Sequence, residues 1–292
     1  MANGRELRVI GRAGWGRTLG AAIVSLLYFF PVLYIILTAF KTRQDALAMP
    51  IKFIFEPTLH NFYSVFVRAA IVAADGANST GFGLYFFNSL FIGGTSVLLA
   101  LVIGTSAAYG FSRFPLRGTD TYLFIILTTR MLPPIIAIIP IFVLFRVFGL
   151  SGTYTGIIAL YTAFNLPFSV WMVKSFVDDL DRDIEDAARM DGSSEWRVFR
   201  KIILPQIRAG LAATFVFAII LTWNEFLFAL LLTGTETRTV PVQIARTLGG
   251  QVGVDWGLLS AIETLFIIPV VLVTFMLQNQ LLRGVTFGTI RK

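Results

Sequence analysis

The sequence predicts an all-α polytopic membrane helix bundle with six transmembrane helices and further helices on the cytoplasmic side. Of the 292 residues, 56% are hydrophobic and only 14% are charged, and the mean hydropathy is +0.76. Soluble domains carry about 25% charged residues, because their surfaces must meet water. Apolar runs of about 20 residues, the length of helix that crosses a bilayer, recur along the chain. These observations exclude a single water-soluble domain.

Each predicted span is an apolar run of sufficient length. The first run follows a basic segment, as in a signal peptide, but it is longer than the roughly 7–15 residues of an h-region. We therefore expect it to remain as a span. None of the runs alternates polar and apolar residues as barrel strands do. The six predicted spans are Leu19–Phe40, Tyr85–Phe111, Tyr122–Phe148, Thr155–Phe176, Gly210–Leu232 and Gly257–Leu282.

The positive charges predict the orientation. When the N-terminus is placed inside, most of the 24 Lys and Arg residues fall in inside segments, as expected for cytoplasmic loops. Both termini are therefore predicted to be cytoplasmic. The predicted organisation is an N-terminal segment 1–18, a transmembrane domain 19–282 with an inside loop 177–209 and outside loops 41–84 and 233–256, and a tail 283–292.

Several classes of function are disfavoured by residues that the chain lacks. It has no Cys and a single His, His60, so we expect no disulfide, no metal site and no Ser-His-Asp catalytic set. There is no G-x-x-x-x-G-K-[ST] motif, so the chain should not bind ATP itself. The net charge of +7 fits basic cytoplasmic loops better than a nucleic-acid partner. We expect no catalytic residues.

The long inside loop carries the most informative pattern. Asp181 or Asp183 is predicted to cap a short acidic helix that Gly192 ends. Ser193 is predicted to cap a second, amphipathic helix, and a connecting loop needs only about 2–8 residues. A structured loop of this length indicates either a cytoplasmic partner or an interfacial helix on anionic lipid. The apolar face of the second helix is predicted to contain Trp196, Phe199, Ile202 and Ile203.

This loop resembles the E-A-A-x3-G-x9-I-x-L-P motif of membrane subunits of bacterial ATP-binding-cassette importers. The matching positions are Asp186-Ala187-Ala188, Gly192 and Ile202-Ile203-Leu204-Pro205, with Asp186 in place of Glu and Glu185 before it. The segments Trp223–Leu227 and Leu281–Thr286 resemble the smaller, maltose-transporter-type permease of carbohydrate importers.

The resemblance implies a permease of the bacterial cytoplasmic (inner) membrane that moves a sugar, oligosaccharide or polyol. It implies a second homologous permease, an extracytoplasmic solute-binding protein and two ATPase subunits that hold ATP and Mg, with lipid around the bundle and no cofactor in this chain. The Gly-turn helix would be a coupling helix that docks in the ATPase, and a Gly-rich outside loop would contact the binding protein. The implied docking residues are Glu185, Asp186, Ala187, Ala188, Met190, Asp191, Gly192 and Trp196, and the implied loop residues are Gly249, Gly250, Gln251, Val252 and Gly253.

Three charged residues are predicted inside spans and away from the span ends: Arg130, Glu225 and Glu263. A charge at the bilayer centre costs about 2.5–3.5 kcal/mol, so each needs a partner or a water-filled cavity. A sugar needs carboxylate or amide groups and an aromatic platform, and Trp223, Asn224, Glu225 and Arg130 are the candidate pathway residues. Consecutive helical residues point about 100° apart, so Trp223, Asn224 and Glu225 cannot all face one cavity. For the three charged residues, the alternative is a structural ion pair or snorkelling to the membrane surface. For the whole chain, the alternatives are an ion-coupled secondary carrier that uses Arg130, Glu225 and Glu263, a scaffold, or a membrane-embedded enzyme.

Overall fold

The computed structural model describes residues 15–67, 81–248 and 254–287, with side chains as far as residue 278. Within these ranges the chain forms α-helices and one π-helical turn, without a β-strand. The chain divides into two compact units. The first comprises Met1–Ser64 with Asp255–Thr264, and the second comprises Val65–Val254 with Leu265–Lys292.

The first unit contains α1 (Trp15–Ala39), α2 (Arg43–Ala46) and the beginnings of α3 (His60–Val67) and of the last helix, which starts at Trp256. The buried side chain of Asn61 fixes the chain after α1, because its Nδ2 donates to the carbonyls of Ala39 at 2.9 Å and Lys41 at 2.7 Å. Gly257 packs directly on this amide, where an added Cβ would lie 2.7 Å from Nδ2.

The centre of the second unit is the packing of α4 (Phe82–Arg113) against α7 (Tyr154–Asp178). A Cβ at Gly104 would lie 2.7 Å from the Cβ of Ser169, closer than two such atoms approach. Ala100 and Ala108, four residues away on either side, are fully buried. Small side chains at these three positions let the backbones of α4 and α7 pack tightly.

The remaining helices surround or extend this pair. They are α5 (Thr119–Met131), α6 (Pro134–Val147), α8 (Arg182–Met190), α9 (Glu195–Val198), α10 (Leu204–Gln206), α11 (Arg208–Trp223), α12 (Leu227–Leu232), α13 (Val240–Leu248) and α14 (Trp256–Phe287), with the π turn Phe199–Ile203 between α9 and α10.

The predicted all-α polytopic bundle is confirmed. Within the described residues, four single helices are long and apolar enough to cross a membrane: α1, α4, α7 and the Trp256–Gln278 part of α14. Two bent pairs bring the number to six if each pair counts as one span. α1 begins at Trp15, earlier than the predicted start at Leu19.

The third predicted span, Tyr122–Phe148, is not one straight helix. It is divided into α5 and α6, which meet at an angle of 91°. Leu132 and Pro133 both have extended ψ angles, 126° and 125°. The physical reason is the Pro133-Pro134 pair, because proline lacks a donor and drives the preceding residue out of the helical region.

The fifth predicted span, Gly210–Leu232, is also interrupted. Helix α11 ends at Trp223 and α12 begins at Leu227, so Asn224 and Glu225 lie in the break. The Glu225 carboxylate accepts hydrogen bonds from the backbone N–H groups of Phe228 at 2.8 Å and Ala229 at 3.1 Å. A side chain that satisfies the first free N–H groups of a new helix stabilises the break.

Candidate functional site

The acidic helix α8 is fixed at both ends by local hydrogen bonds. Asp181 is the N-cap and accepts from the N–H of Asp183 at 3.1 Å, which confirms the predicted start. At the other end Gly192 has φ +79°, and Ser193 N–H donates to Ala188 O at 3.0 Å. This is the Schellman pattern of a helix that ends on a left-handed residue. The predicted stop at Gly192 is confirmed.

The second helix of the loop packs into the core of the bundle. Phe199 and Ile203 are buried in a cluster that also contains Ala108 of α4 and Val173 of α7. Trp196, predicted on the same apolar face, is instead 66% exposed, with its ring against the ring of Phe199. The residue in the N-cap position is Ser194, not Ser193. The helix–turn–helix of residues 181–206, called here the α8–α10 hairpin, is therefore anchored by its second half.

A buried ion pair anchors the first half of the hairpin. Arg113, at the end of α4, donates from Nε to the Glu185 carboxylate at 2.6 Å, and the two side chains are 4% and 1% exposed. The same guanidinium donates to the carbonyl of Val177 at 2.8 Å. Glu185 therefore contacts the bundle and does not contribute to the exposed surface for which it was predicted. Arg113 was not predicted as a functional residue. The signal that could have found it is the position of an arginine at the inside end of a predicted span.

Arg189 ties the two halves of the hairpin together. Its guanidinium contacts Asp186 at 2.6 Å, Glu185 at 3.3 Å and Glu195 at 2.8 Å. The hydrogen bond to Arg189 holds the pKa of Glu195 below its usual range, and the same bond raises the pKa of Arg189. These residues line a polar cavity of about 310 Å³. Arg189 and Glu195 were not predicted, because their importance depends on a turn that brings them together.

The other predicted docking residues form a solvent-facing surface on the hairpin. Met190 is 89% exposed and Trp196 is 66% exposed, so two large apolar side chains of the hairpin are open to contact with a partner. Ala188 is partly buried, whereas the exposed members are Asp186, Ala187, Met190, Asp191, Gly192 and Trp196. We call these six exposed residues the hairpin tip.

The structure brings Arg130 and Glu225 to one cavity, of about 80 Å³, but does not pair them. Arg130 donates to the carbonyl of Phe164 at 2.5 Å, and its guanidinium lies over the ring of Phe168. Within the described residues, no ion pair joins Arg130 to Glu225. The Glu225 carboxylate instead accepts a hydrogen bond from the hydroxyl of Tyr161, in addition to the two backbone N–H groups of α12.

The other two predicted pathway residues lie elsewhere. Trp223 is 3% exposed, stacks on Phe266 with ring centroids 5.0 Å apart, and donates from Nε1 to the carbonyl of Phe266. Trp223 is therefore a packing residue in this conformation and not an open platform. Asn224 is exposed and donates from Nδ2 to Ile220 O at 2.8 Å. As predicted, Trp223, Asn224 and Glu225 do not all face one cavity.

The outside loop predicted at 233–256 is ordered by buried polar contacts over its first part. Asn88 of α4 donates from Nδ2 to the carbonyls of Glu236 and Arg238, both at 2.8 Å. Ser89 accepts from the N–H of Val240 at 2.9 Å, where α13 begins. The predicted binding-protein contact residues 249–253 lie outside the described residues.

Comparison with known proteins gives a family and several relatives. Residues 96–287 match the family model described as binding-protein-dependent transport system inner membrane component. A probable ABC transporter permease protein of Sinorhizobium fredii is 36% identical over 94% of both chains. The diacetylchitobiose uptake system permease of Streptomyces coelicolor is 30% identical over 91% of this chain and 85% of its own. The trehalose/maltose transport system permease of Thermococcus litoralis is 29% identical over 94% of this chain and 95% of its own.

Solved structures agree with the fold. A chain of a bacterial ABC transporter involved in the import of the acidic polysaccharide alginate superimposes with a TM-score of 0.68 and 23% identity, covering 91% of this chain and 95% of that chain. At this identity the likeness shows the fold alone. The family match and the S. fredii relative go further: this chain belongs to the binding-protein-dependent transport system inner membrane components and is an ABC transporter permease of the inner membrane.

Proposed function

We propose that this permease is the translocation subunit of an ATP-driven importer for a sugar, oligosaccharide or polyol. Its complex would contain a second homologous permease, two ATPase subunits that bind ATP and Mg, and an extracytoplasmic binding protein. The proposal for the substrate is supported by relatives named for diacetylchitobiose and for trehalose and maltose. Both termini and the loop 177–209 would be cytoplasmic, and the loops 41–84 and 233–256 would lie outside.

The observation that carries the coupling role is the hairpin tip. It projects the large side chains of Met190 and Trp196 while the rest of the hairpin is tied to α4 by the Arg113–Glu185 pair. A surface that is anchored to the bundle and exposes two large apolar side chains beside acidic ones fits a protein partner better than a loosely held membrane anchor. ATPase closure would move the tip, and the buried pair would pass that movement to α4.

Glu225 supports the pathway part of the proposal. Its carboxylate holds both α12 and Tyr161 of α7 at a break in a span. A cavity of about 80 Å³ is far smaller than the roughly 300 Å³ of a typical ligand site. We propose that this region is a closed constriction, and that separation of α7 from α12 opens it. Because Glu225 is engaged by three donors and Arg130 by a carbonyl, their arrangement offers no support for an ion-coupled carrier.

Affinity purification in mild detergent tests the proposal. The chain is expressed in cells that also contain candidate ATPase and permease partners, and the captured proteins are identified. We expect an ATP-binding-cassette ATPase and a second permease with the parent chain, and no ATPase with a Met190→Asp, Trp196→Asp variant. Capture of neither partner by the parent chain would contradict the proposal.

A further inference from the structure

The first unit encloses a cavity that has no part in the roles described so far. Its volume is about 390 Å³, and it lies between the end of α1 and the start of α14. Binding sites for small molecules have volumes of about 300–1,000 Å³, with mostly apolar walls and a few convergent polar groups. This cavity fits that description in size and composition. Its principal walls are Tyr34, Thr38, Trp256, Leu259, Ser260 and Glu263.

Glu263 is the unusual member of this set. It lies on α14, whose Trp256–Gln278 segment is apolar enough to cross a membrane, and its side chain is partly buried. Within the part of the chain that the structure describes, no hydrogen bond or ion pair to the Glu263 carboxylate is formed. A carboxylate at such a position is costly unless it meets a donor, a cation or water. The cavity is the space through which such a group can reach it.

The surrounding side chains favour a neutral ligand with hydroxyl groups. Glu263 and Ser260 offer acceptors to hydroxyl donors, and the ring of Trp256, which is 46% exposed, provides an open aromatic face. The ring of Tyr34 already has a cation on it, because the buried Lys41 Nζ lies 4.9 Å from its centroid. A cationic ligand would bring a second positive charge beside Lys41, whereas a neutral one would not.

We propose that this cavity is a saccharide-binding subsite on this chain, in which Glu263 accepts hydrogen bonds from sugar hydroxyls and Trp256 stacks on the sugar ring. The choice of a saccharide as the ligand rests on the proposed function. The cavity itself is a different site from the one lined by Glu225. With the predicted orientation, the end of α1 and the start of α14 face outward.

Calorimetric titration of the full chain in lipid nanodiscs tests the subsite, with maltose, trehalose and diacetylchitobiose as probes. We expect at least one of them to bind the parent chain, and the Kd to rise about tenfold or more in Glu263→Gln and in Trp256→Ala. The matched controls are Glu56→Gln, an exposed acid of the same unit, and Trp171→Ala, an exposed tryptophan on α7; both should bind like the parent. Helix content by circular dichroism establishes that each variant is folded.

Three outcomes would overturn the inference: none of the three sugars binds the parent, both cavity variants bind like the parent, or choline binds in preference to the sugars. ATP-driven uptake of the same sugars by the assembled importer is measured in parallel. Uptake without binding at the cavity contradicts the subsite alone, whereas the absence of uptake for every saccharide contradicts the proposed function.

Discussion

The guanidinium of Arg113 at the end of α4 lies 2.6 Å from the carboxylate of Glu185 in α8, and the two side chains are almost fully buried. The pair joins the longest helix of the second unit to the hairpin that carries the exposed tip. A buried pair contributes little net stability compared with apolar residues, but removal of one partner leaves a charge that nothing compensates. The burial of each of these two side chains therefore depends on the presence of the other.

We predict that Glu185→Met destabilises the chain by about 3–5 kcal/mol, because it leaves the buried Arg113 guanidinium without a carboxylate. Arg113→Met should cost less, because Arg189 still contacts the Glu185 carboxylate at 3.3 Å. The double variant should be less harmful than the sum of the two. The control is Lys52→Met, which breaks the more exposed pair with Asp45 and should cost about 0–1 kcal/mol. Thermal unfolding in detergent provides the measurement, and additive effects of the two single changes would contradict a direct pair.

Substitutions of Gly192 provide a second test. They distinguish two reasons why this position needs a glycine: the backbone conformation, or the close approach of a partner protein. Its φ is +79°, and a Cβ built on it meets nothing within 4 Å in this chain. Asn tolerates this region of φ better than other residues with side chains. If only conformation matters, Gly192→Asn should transport sugar nearly like the parent and Gly192→Val should not.

If a partner approaches closely, Gly192→Asn, Gly192→Val and Gly192→Asp should all lose coupled transport while inserting normally. Docking predicts this second outcome. The matched control is Gly118→Asp, in a turn with φ +80° outside the hairpin. Normal transport by Gly192→Asp would contradict docking through the Gly turn.

The acidic side of the hairpin should make its stability depend on pH. The bond to Arg189 lowers the pKa of Glu195 from its ordinary value of 4.5, so the folded chain favours the charged form. The stabilisation is therefore fully present above about pH 4.5 and is lost as the pH falls through the lower pKa of the folded state. We expect Glu195→Gln to unfold more easily than the parent at pH 7 and equally at strongly acidic pH. A difference that persists unchanged in acid would contradict this role.

We predict that sugar uptake depends more on the hydrogen bonds that the Glu225 side chain accepts than on its charge. Gln at this site keeps one acceptor for α12, so we expect Glu225→Gln to lower sugar uptake while leaving assembly intact. Glu225→Ala removes all three hydrogen bonds and should be worse. Tyr161→Phe, which removes only the link to α7, should weaken closure without unfolding α12. Uptake is measured beside the yield of complex; if yield falls as fast as uptake, Glu225 is structural and has no part in the pathway.

The sequence predicted the parts of the structure that depend on local chemistry. Asp181 and Gly192 act on the backbone next to them, and the apolar runs act through their length. Their roles could therefore be predicted from the sequence alone. Glu185 and Asp186 are adjacent acids in one helix, and the pattern could not show which of them faces inward. That choice is made by Arg113, 72 residues earlier in the chain. The break at Glu225 was missed because the two apolar runs on either side of it, residues 210–223 and 226–232, together have the length of one continuous span.

We propose that this permease imports a saccharide with energy that reaches it through the hairpin tip. The most direct measurement is ATP-dependent uptake of labelled maltose, trehalose and diacetylchitobiose into proteoliposomes that contain the purified complex and its binding protein. The account predicts uptake of at least one sugar by the parent complex, and loss of that uptake in the Gly192→Asp complex. Uptake by this chain alone without ATP, or equal uptake by the Gly192→Asp complex, would contradict it.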